Sequence, residues 1–294
     1  MGRQRGPGLT EPLRAWLERQ LGGRMAVSAV RSLHGGESPW WIDLTAPGGS
    51  AFSAVLRCPS SRIGPEMIAT NAAALAVAEE HGLPAPRLLA ADPDGRTAET
   101  PVSLETVVPG TSAWPAAPDT GLLLAAGAAI ARVHAVTPGP RPQLPFRPRP
   151  IAVDDFARDR REGRAPTTAL LHLADERVRA AKGPGGPVVL VHGDVWPGNT
   201  VVAGGRIRGL IDWKTAGVGN PGVDLGELRK QVAISYDDDA PGLVLEGWER
   251  ARGTRAGDVP YWDAVAALNT PAQCYSPYAT RRRDHFLRAA IAQL

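Results

Sequence analysis

The chain has 294 residues, of which 43% are hydrophobic and 21% charged, enough for a sizeable core in one large domain or two lobes. A formal net charge of +3 is too small to argue for a nucleic-acid partner, and two distant cysteines, Cys58 and Cys274, lack metal-ligand spacing and fit a reducing compartment. The opening MGRQRGPGLT lacks the apolar run of a secretory leader and no stretch is long and apolar enough to span a bilayer, so a cytoplasmic protein without a membrane partner is expected.

Thr10 to Leu21 reads as an amphipathic helix: Thr10 can cap it, and Leu13, Trp16, Leu17 and Leu21 share a face before Gly22-Gly23 ends it. Three strands follow, over 26–33, 40–44 and 51–57, the first two joined through His34-Gly35-Gly36-Glu37-Ser38. An Ala-rich helix is expected over 65–81, then strands over 87–92 and 101–107. Pro109-Gly110 breaks the pattern.

Leu122, Ala126, Ile130 and Val133 recur at helical spacing within 119–136 and mark a buried helix, with His134 as a structural histidine. A proline-rich excursion, 138–150, precedes helices over 154–163 and 167–181. In the first of these, Arg158, Arg160, Arg161 and Arg164 alternate with acids and read as a solvated face.

The informative stretch is Val188 to Gly226. The run Val188-Val189-Leu190-Val191 leads into His192-Gly193-Asp194, and Asn199 follows five residues later. Thr200-Val201-Val202 and Leu210-Ile211 flank a Gly204-Gly205 turn, which is a hairpin pattern, and Asp212 ends it. The hairpin would bring two carboxylates and one amide together. A carboxylate can orient a hydroxyl and take its proton, while an Asn oxygen and a second carboxylate form a hard site for Mg²⁺. Phosphoryl transfer needs that combination, and protein kinases use an Asp, an Asn and a metal-binding Asp in this order.

Beyond Gly226 helices are expected over 227–235, 241–251, 261–268 and 281–294. Asp237-Asp238-Asp239 reads as a solvated cap or as an attractor of a cationic ligand, and Arg281-Arg282-Arg283 as a solvated helix start. Tyr236, Trp248, Tyr261, Trp262 and Tyr275 read by default as core.

HGDVWPGN, LIDW and GVDLG, in that order and spacing, resemble the aminoglycoside phosphotransferase family, with its choline-kinase-like relatives in the protein-kinase-like superfamily. The resemblance implies an α+β bilobal fold. A nucleotide-binding lobe, 1–108, carries an antiparallel sheet and a helix; a larger, mainly helical lobe, 109–294, carries catalysis and the acceptor. It implies a kinase that moves the γ-phosphoryl of ATP or GTP to a hydroxyl of an aminoglycoside- or macrolide-like antibiotic or a related metabolite. Asp194 would be the catalytic base, and Asn199 and Asp212 the Mg²⁺ ligands. Gly36, Ser38 and Arg57 would meet the phosphates, with an ordinary hairpin turn as the other reading of Gly36 and Ser38. Glu105 and Val107, at the hinge, would meet the base through their backbone. His192 and Asp224 would brace the loop.

The sequence departs from the family at Asn71, where a glutamate should pair with the strand cation; Glu66 is the other candidate. That departure supports an alternative, a catalytically silent nucleotide-binding regulator. A metabolic kinase for a sugar or amino alcohol is a second one. A protein kinase is disfavoured, because no Ala-Pro-Glu segment follows Asp212.

Overall fold

The computed structural model describes residues 9–294 except Arg24, Ala152 and Asp237, so Asp237 of the acidic run and the first eight residues lie outside the described residues. The chain divides into two compact units, Met1–Val108 and Pro109–Leu294.

The first unit is built on a five-stranded antiparallel sheet, order β1-β2-β3-β5-β4, from β1 (Ala26–His34), β2 (Glu37–Thr45), β3 (Ala51–Arg57), β4 (Leu88–Asp92) and β5 (Val102–Thr106). Helix α1 (Glu11–Gln20) buries Leu13, Trp16 and Leu17 against Ile42, Leu44, Leu56 and Leu104, which is the period-2 face of the sheet meeting one helical stripe. Thr10 stands at its N-cap without a side-chain cap bond, so Pro12 and the backbone set that end. Helix α2 (Pro65–Glu80) connects β3 to β4 and packs on β4 and β5.

The second unit is mainly helical: α3 (Thr120–Val133), α4 (Phe156–Arg161), α5 (Ala169–Ala180), α6 (Gly222–Ser235), α7 (Ala240–Arg252), α8 (Val259–Leu268) and α9 (Pro277–Ile291). Helices α3 and α7 cross where neither has a side chain: a Cβ on Gly127 would lie 2.0 Å from Val244 O, and one on Gly247 2.0 Å from Leu124 O. Two small ribbons lie among the helices. β6 (Val189–Val191) pairs with β9 (Gly217–Gly219), and β7 (Thr200–Ala203) pairs with β8 (Arg206–Leu210) through the Gly204-Gly205 turn.

Several expectations are revised. Helix α6 begins at Gly222, so Asp224 lies in its first turn rather than ahead of it. Arg283 is fully buried, not solvated: its guanidinium donates to Thr270 Oγ1 and to the carbonyls of Pro271 and Ala272. Arg160 likewise leaves the solvated face, donating to Thr270 O (2.8 Å) and Leu268 O. Each turns inward because a helix end or loop offers carbonyls with no partner of their own. Tyr275 is 80% exposed rather than core.

Candidate active site

The β7–β8 hairpin does the bringing together. Thr200 pairs with Leu210, and Ile211 N donates to Asn199 O at 2.9 Å, so Asn199 and Asp212 leave the same end of the ribbon. Asn199 closes a short 3-10 turn, Pro197–Asn199, and its Nδ2 donates to Asp194 O (2.9 Å) and Asp194 Oδ2 (3.1 Å). That leaves Oδ1 as the remaining acceptor of a buried amide. Asp212 sits at φ 70, ψ 57, a left-handed conformation unusual for a residue with a side chain, and its Oδ2 is in contact with Lys214 Nζ.

Burial pushes the Asp194 carboxyl up to about 7. Lys214 and Lys230 oppose that rise, while Glu227 and Asp212 add to it, so four charged groups surround this carboxyl. Sequence reasoning missed Lys214, Glu227 and Lys230. Glu227 and Lys230 are fully buried on α6, with Lys230 Nζ donating to Glu227 Oε1 at 2.6 Å and Gln231 Nε2 to the same oxygen at 2.9 Å. A three-residue helical spacing of unlike charges was the available signal, but such pairs are usually on the surface.

The loop carrying Asp194 is held from α6. Asp224 is fully buried and accepts from His192 N (2.8 Å) and Gly193 N (2.7 Å). His134 Nε2 lies 3.1 Å from the same carboxylate, and Trp248 Nε1 donates to His134 Nδ1 at 2.9 Å. The indole fixes the tautomer: with Nδ1 accepting, the proton of neutral His134 is on Nε2 and is donated to Asp224. Burial pushes the Asp224 carboxyl up, but these donors outweigh it and hold the carboxyl below its usual range. Gly193 has φ +81, and a Cβ there would lie 2.3 Å from Thr215 O, so the turn before Asp194 admits no side chain. His192 is buried with its ring 4.7 Å from that of Trp213, its Nε2 donating to Ile211 O (2.9 Å) and its Nδ1 accepting from Asp194 N (3.3 Å). Burial lowers its pKa, which keeps it neutral and bracing rather than proton-transferring.

In the first unit Arg57 and Glu105 form a buried pair, with Nη2 to Oε1 at 3.0 Å, and Asn71 Nδ2 donates to Glu105 Oε2 at 2.8 Å. The carboxylate beside the strand cation therefore comes from β5. Neither Asn71 nor the exposed Glu66 supplies it. Glu105 is also paired with strands on both sides, Val55 on β3 and Leu88 on β4, so it is a side-chain partner rather than an open backbone edge. Val107 lies just beyond the end of β5, half-buried. Gly36 is in the exposed two-residue turn of the β1–β2 hairpin, with its N–H directed to Ser32 Oγ at 3.0 Å. Ser38 is buried, and its Oγ accepts from Cys58 N at 2.9 Å, next to Arg57.

Asn199 Oδ1 and the Asp212 carboxylate are a hard, oxygen-only pair, and the ammonium of Lys214 on Asp212 marks a position where positive charge is balanced. Among the described residues no group of three or more His, Cys, Asp or Glu could form an all-protein metal cage. The pair therefore fits Mg²⁺, which takes one or two protein ligands and completes its shell with waters and phosphate oxygens.

The structure is similar to a macrolide 2′-phosphotransferase of Brachybacterium faecium, at TM-score 0.58 and 19% identity over 94% of this chain and 98% of the other. It is also similar to an amicoumacin kinase in complex with AMP-PNP, Ca²⁺ and Ami (TM-score 0.61, 14% identity, 95% and 93% covered). A third is a thermostable mutant of an aminoglycoside phosphotransferase in ternary complex with ADP and hygromycin B (0.60, 16%, 95% and 98%). These likenesses establish the kinase-like α+β fold. No curated protein matches the sequence. The profile of the phosphotransferase enzyme family matches residues 29–268, the β7–β8 hairpin and the loop that carries Asp194 included, and on that match the chain belongs to this family.

Proposed function

We propose that the protein transfers the γ-phosphoryl group of ATP or GTP to a hydroxyl of a small, antibiotic-like acceptor. What carries the reading is the Asn199 amide. Its Nδ2 is fixed by Asp194, so one side chain both positions the candidate base and offers Oδ1 to a cation shared with Asp212. Asp194 orients the acceptor hydroxyl and takes its proton as the O–P bond forms. Asn199 and Asp212 would hold Mg²⁺, which supplies neutralisation of charge on the phosphate oxygens. Asp224, through His192 N and Gly193 N, keeps the loop in place, and positioning of this kind is most of what phosphoryl transfer asks of a protein.

The unit 1–108 is the nucleotide-binding lobe in this reading. In this reading Arg57, held by Glu105, faces phosphate together with the Gly36 turn and Ser38 at the start of β2, and Val107 offers backbone to the base. The unit 109–294 carries catalysis and the acceptor. That Arg57 has a carboxylate partner removes the main support for a catalytically silent regulator. The similar proteins act on macrolides or amicoumacin, or hold hygromycin B, and these are the acceptor classes to try first.

The test is release of nucleoside diphosphate from Mg²⁺·ATP and Mg²⁺·GTP across macrolides, aminoglycosides, amicoumacin-like compounds, sugars and amino alcohols. Acceptor-dependent release is expected, and Asp194→Asn should lower kcat by about 10² to 10⁴ while leaving nucleotide binding in place. Full turnover by that variant would remove Asp194 from the base role.

A further inference from the structure

The proline-rich segment between α3 and α4 is laced into the core of the second unit. Arg147 N donates to Val218 O (2.8 Å) and Val218 N to Pro145 O (3.0 Å), so its middle runs alongside β9. Strand β9 pairs with β6, which ends just ahead of Asp194. A few residues on, Ile151 N donates to Gly193 O at 2.7 Å. That bond completes a clamp on the Gly193–Asp194 peptide. Its carbonyl is taken by Ile151, and its N–H is given to His192 Nδ1 at 3.3 Å. The preceding peptide is held separately, by Gly193 N on Asp224 Oδ1.

Ile151 makes this bond from an uncommon backbone, with φ 51, a left-handed value that a β-branched residue rarely adopts. Such a conformation persists only where its surroundings impose it. Here two side chains impose it. Arg149 Nη1 donates to Ile151 O at 2.8 Å and also reaches Asp154 O, while its Nε lies 3.1 Å from Asp155 Oδ2. Asp154 N donates to the same Ile151 carbonyl at 3.2 Å. Asn269, at the end of α8 and 3% exposed, donates from Nδ2 to Pro150 O at 2.9 Å. Its Oδ1 accepts from Phe156 N at 3.2 Å. An Asn at a helix end ordinarily serves its own turn. This one gives both of its polar groups to the 150–156 segment instead.

We propose that Asn269 and Arg149 are positioning residues for phosphoryl transfer: they hold Ile151 so that its N–H fixes the Gly193–Asp194 peptide, and with it the direction of the Asp194 side chain. Neither touches the reacting atoms. The role in transfer rests on the phosphoryl-transfer reading; the coupling from Asn269 to the loop does not.

The test combines hydrogen exchange read by mass spectrometry with steady-state kinetics, both on the full chain. Asn269→Asp keeps an acceptor for Phe156 N but turns an oxygen toward Pro150 O. Arg149→Met keeps the stem and removes the donors on the other side of Ile151. In each, amides of residues 191–194 should exchange about tenfold faster while those of α3 stay as they were. With an acceptor that turns over, kcat should fall about tenfold and nucleotide KM should stay within about twofold. Val153→Ser, at a side chain in the same segment that is 47% exposed, should change neither. Thermal melting checks folding, and Arg149→Met alone decides if Asn269→Asp does not fold. Exchange at 191–194 that stays at the wild-type rate, or rises only in step with α3, would overturn the coupling. Faster exchange with kcat unchanged, or with kcat and nucleotide KM moving together, would overturn the positioning role. A wild-type protein that turns over no acceptor defeats the phosphoryl-transfer reading instead, and the exchange comparison still decides the coupling.

Discussion

Asp92 ends β4 and accepts from Arg96 N, Thr97 N, Thr97 Oγ1 and Ala98 N. Burial pushes its carboxyl up, but these four bonds prevail and hold it at about 2, against an ordinary 3.8. The folded pKa is depressed, so the stabilisation is fully present above 3.8 and is lost as pH falls through about 2. Asp92→Asn should therefore cost on the order of 1–2 kcal/mol at pH 7, read from urea midpoints, and only about a few tenths of a kcal/mol at pH 2. Glu227 and Lys230 behave differently, because both are inside. Lys230→Met leaves an uncompensated buried carboxylate and should cost about 3–5 kcal/mol, whereas the double change with Glu227→Leu should recover much of that loss in chemical denaturation.

The element that matters most is the loop between β6 and β7, and its weak point is Gly193. Gly193→Ala drives a Cβ into Thr215 O in a left-handed backbone, so the loop must shift. We expect kcat to fall by about 10²-fold with nucleotide KM little changed, since the first unit is untouched. This loop was legible in the sequence because apolar runs, a Gly-Gly turn and three spaced polar residues all point to one hairpin. Strand β9 was not: Gly217-Val218-Gly219 has no alternation to read, and only its pairing with β6 makes it a strand. The same limit applies to Arg283 and to Glu105. A charge is visible in a sequence, but the carbonyls or the guanidinium that will meet it come from distant segments. For Glu105, the separation from Arg57 is 48 residues.

For the molecule as a whole, each unit has its own buried core, and ligands that prefer the folded state should stabilise it by mass action. Mg²⁺·ATP at about 100 times its Kd should add about 2.7 kcal/mol, seen as a rise in Tm. With EDTA present, or in Asp212→Asn, most of the metal-dependent part of that rise should vanish; a Tm increment that ignores both would remove Asp212 from the metal site. The bilobal fold was legible through the family resemblance of the HGDVWPGN, LIDW and GVDLG motifs, with the Pro109-Gly110 break as the local sign of a boundary.

The chain Trp248–His134–Asp224 has a consequence for how the protein is made. Asp224 orders the catalytic loop, but the proton it receives from His134 is set by an indole 114 residues further along the sequence than that histidine. A nascent polypeptide that has reached the hairpin already contains Asp194, Asn199 and Asp212, yet the loop's support is incomplete until α7 has been synthesised and has docked on α3. A chain cut short before Trp248 would therefore keep Asp194, Asn199 and Asp212 while leaving His134 Nδ1 without its indole donor.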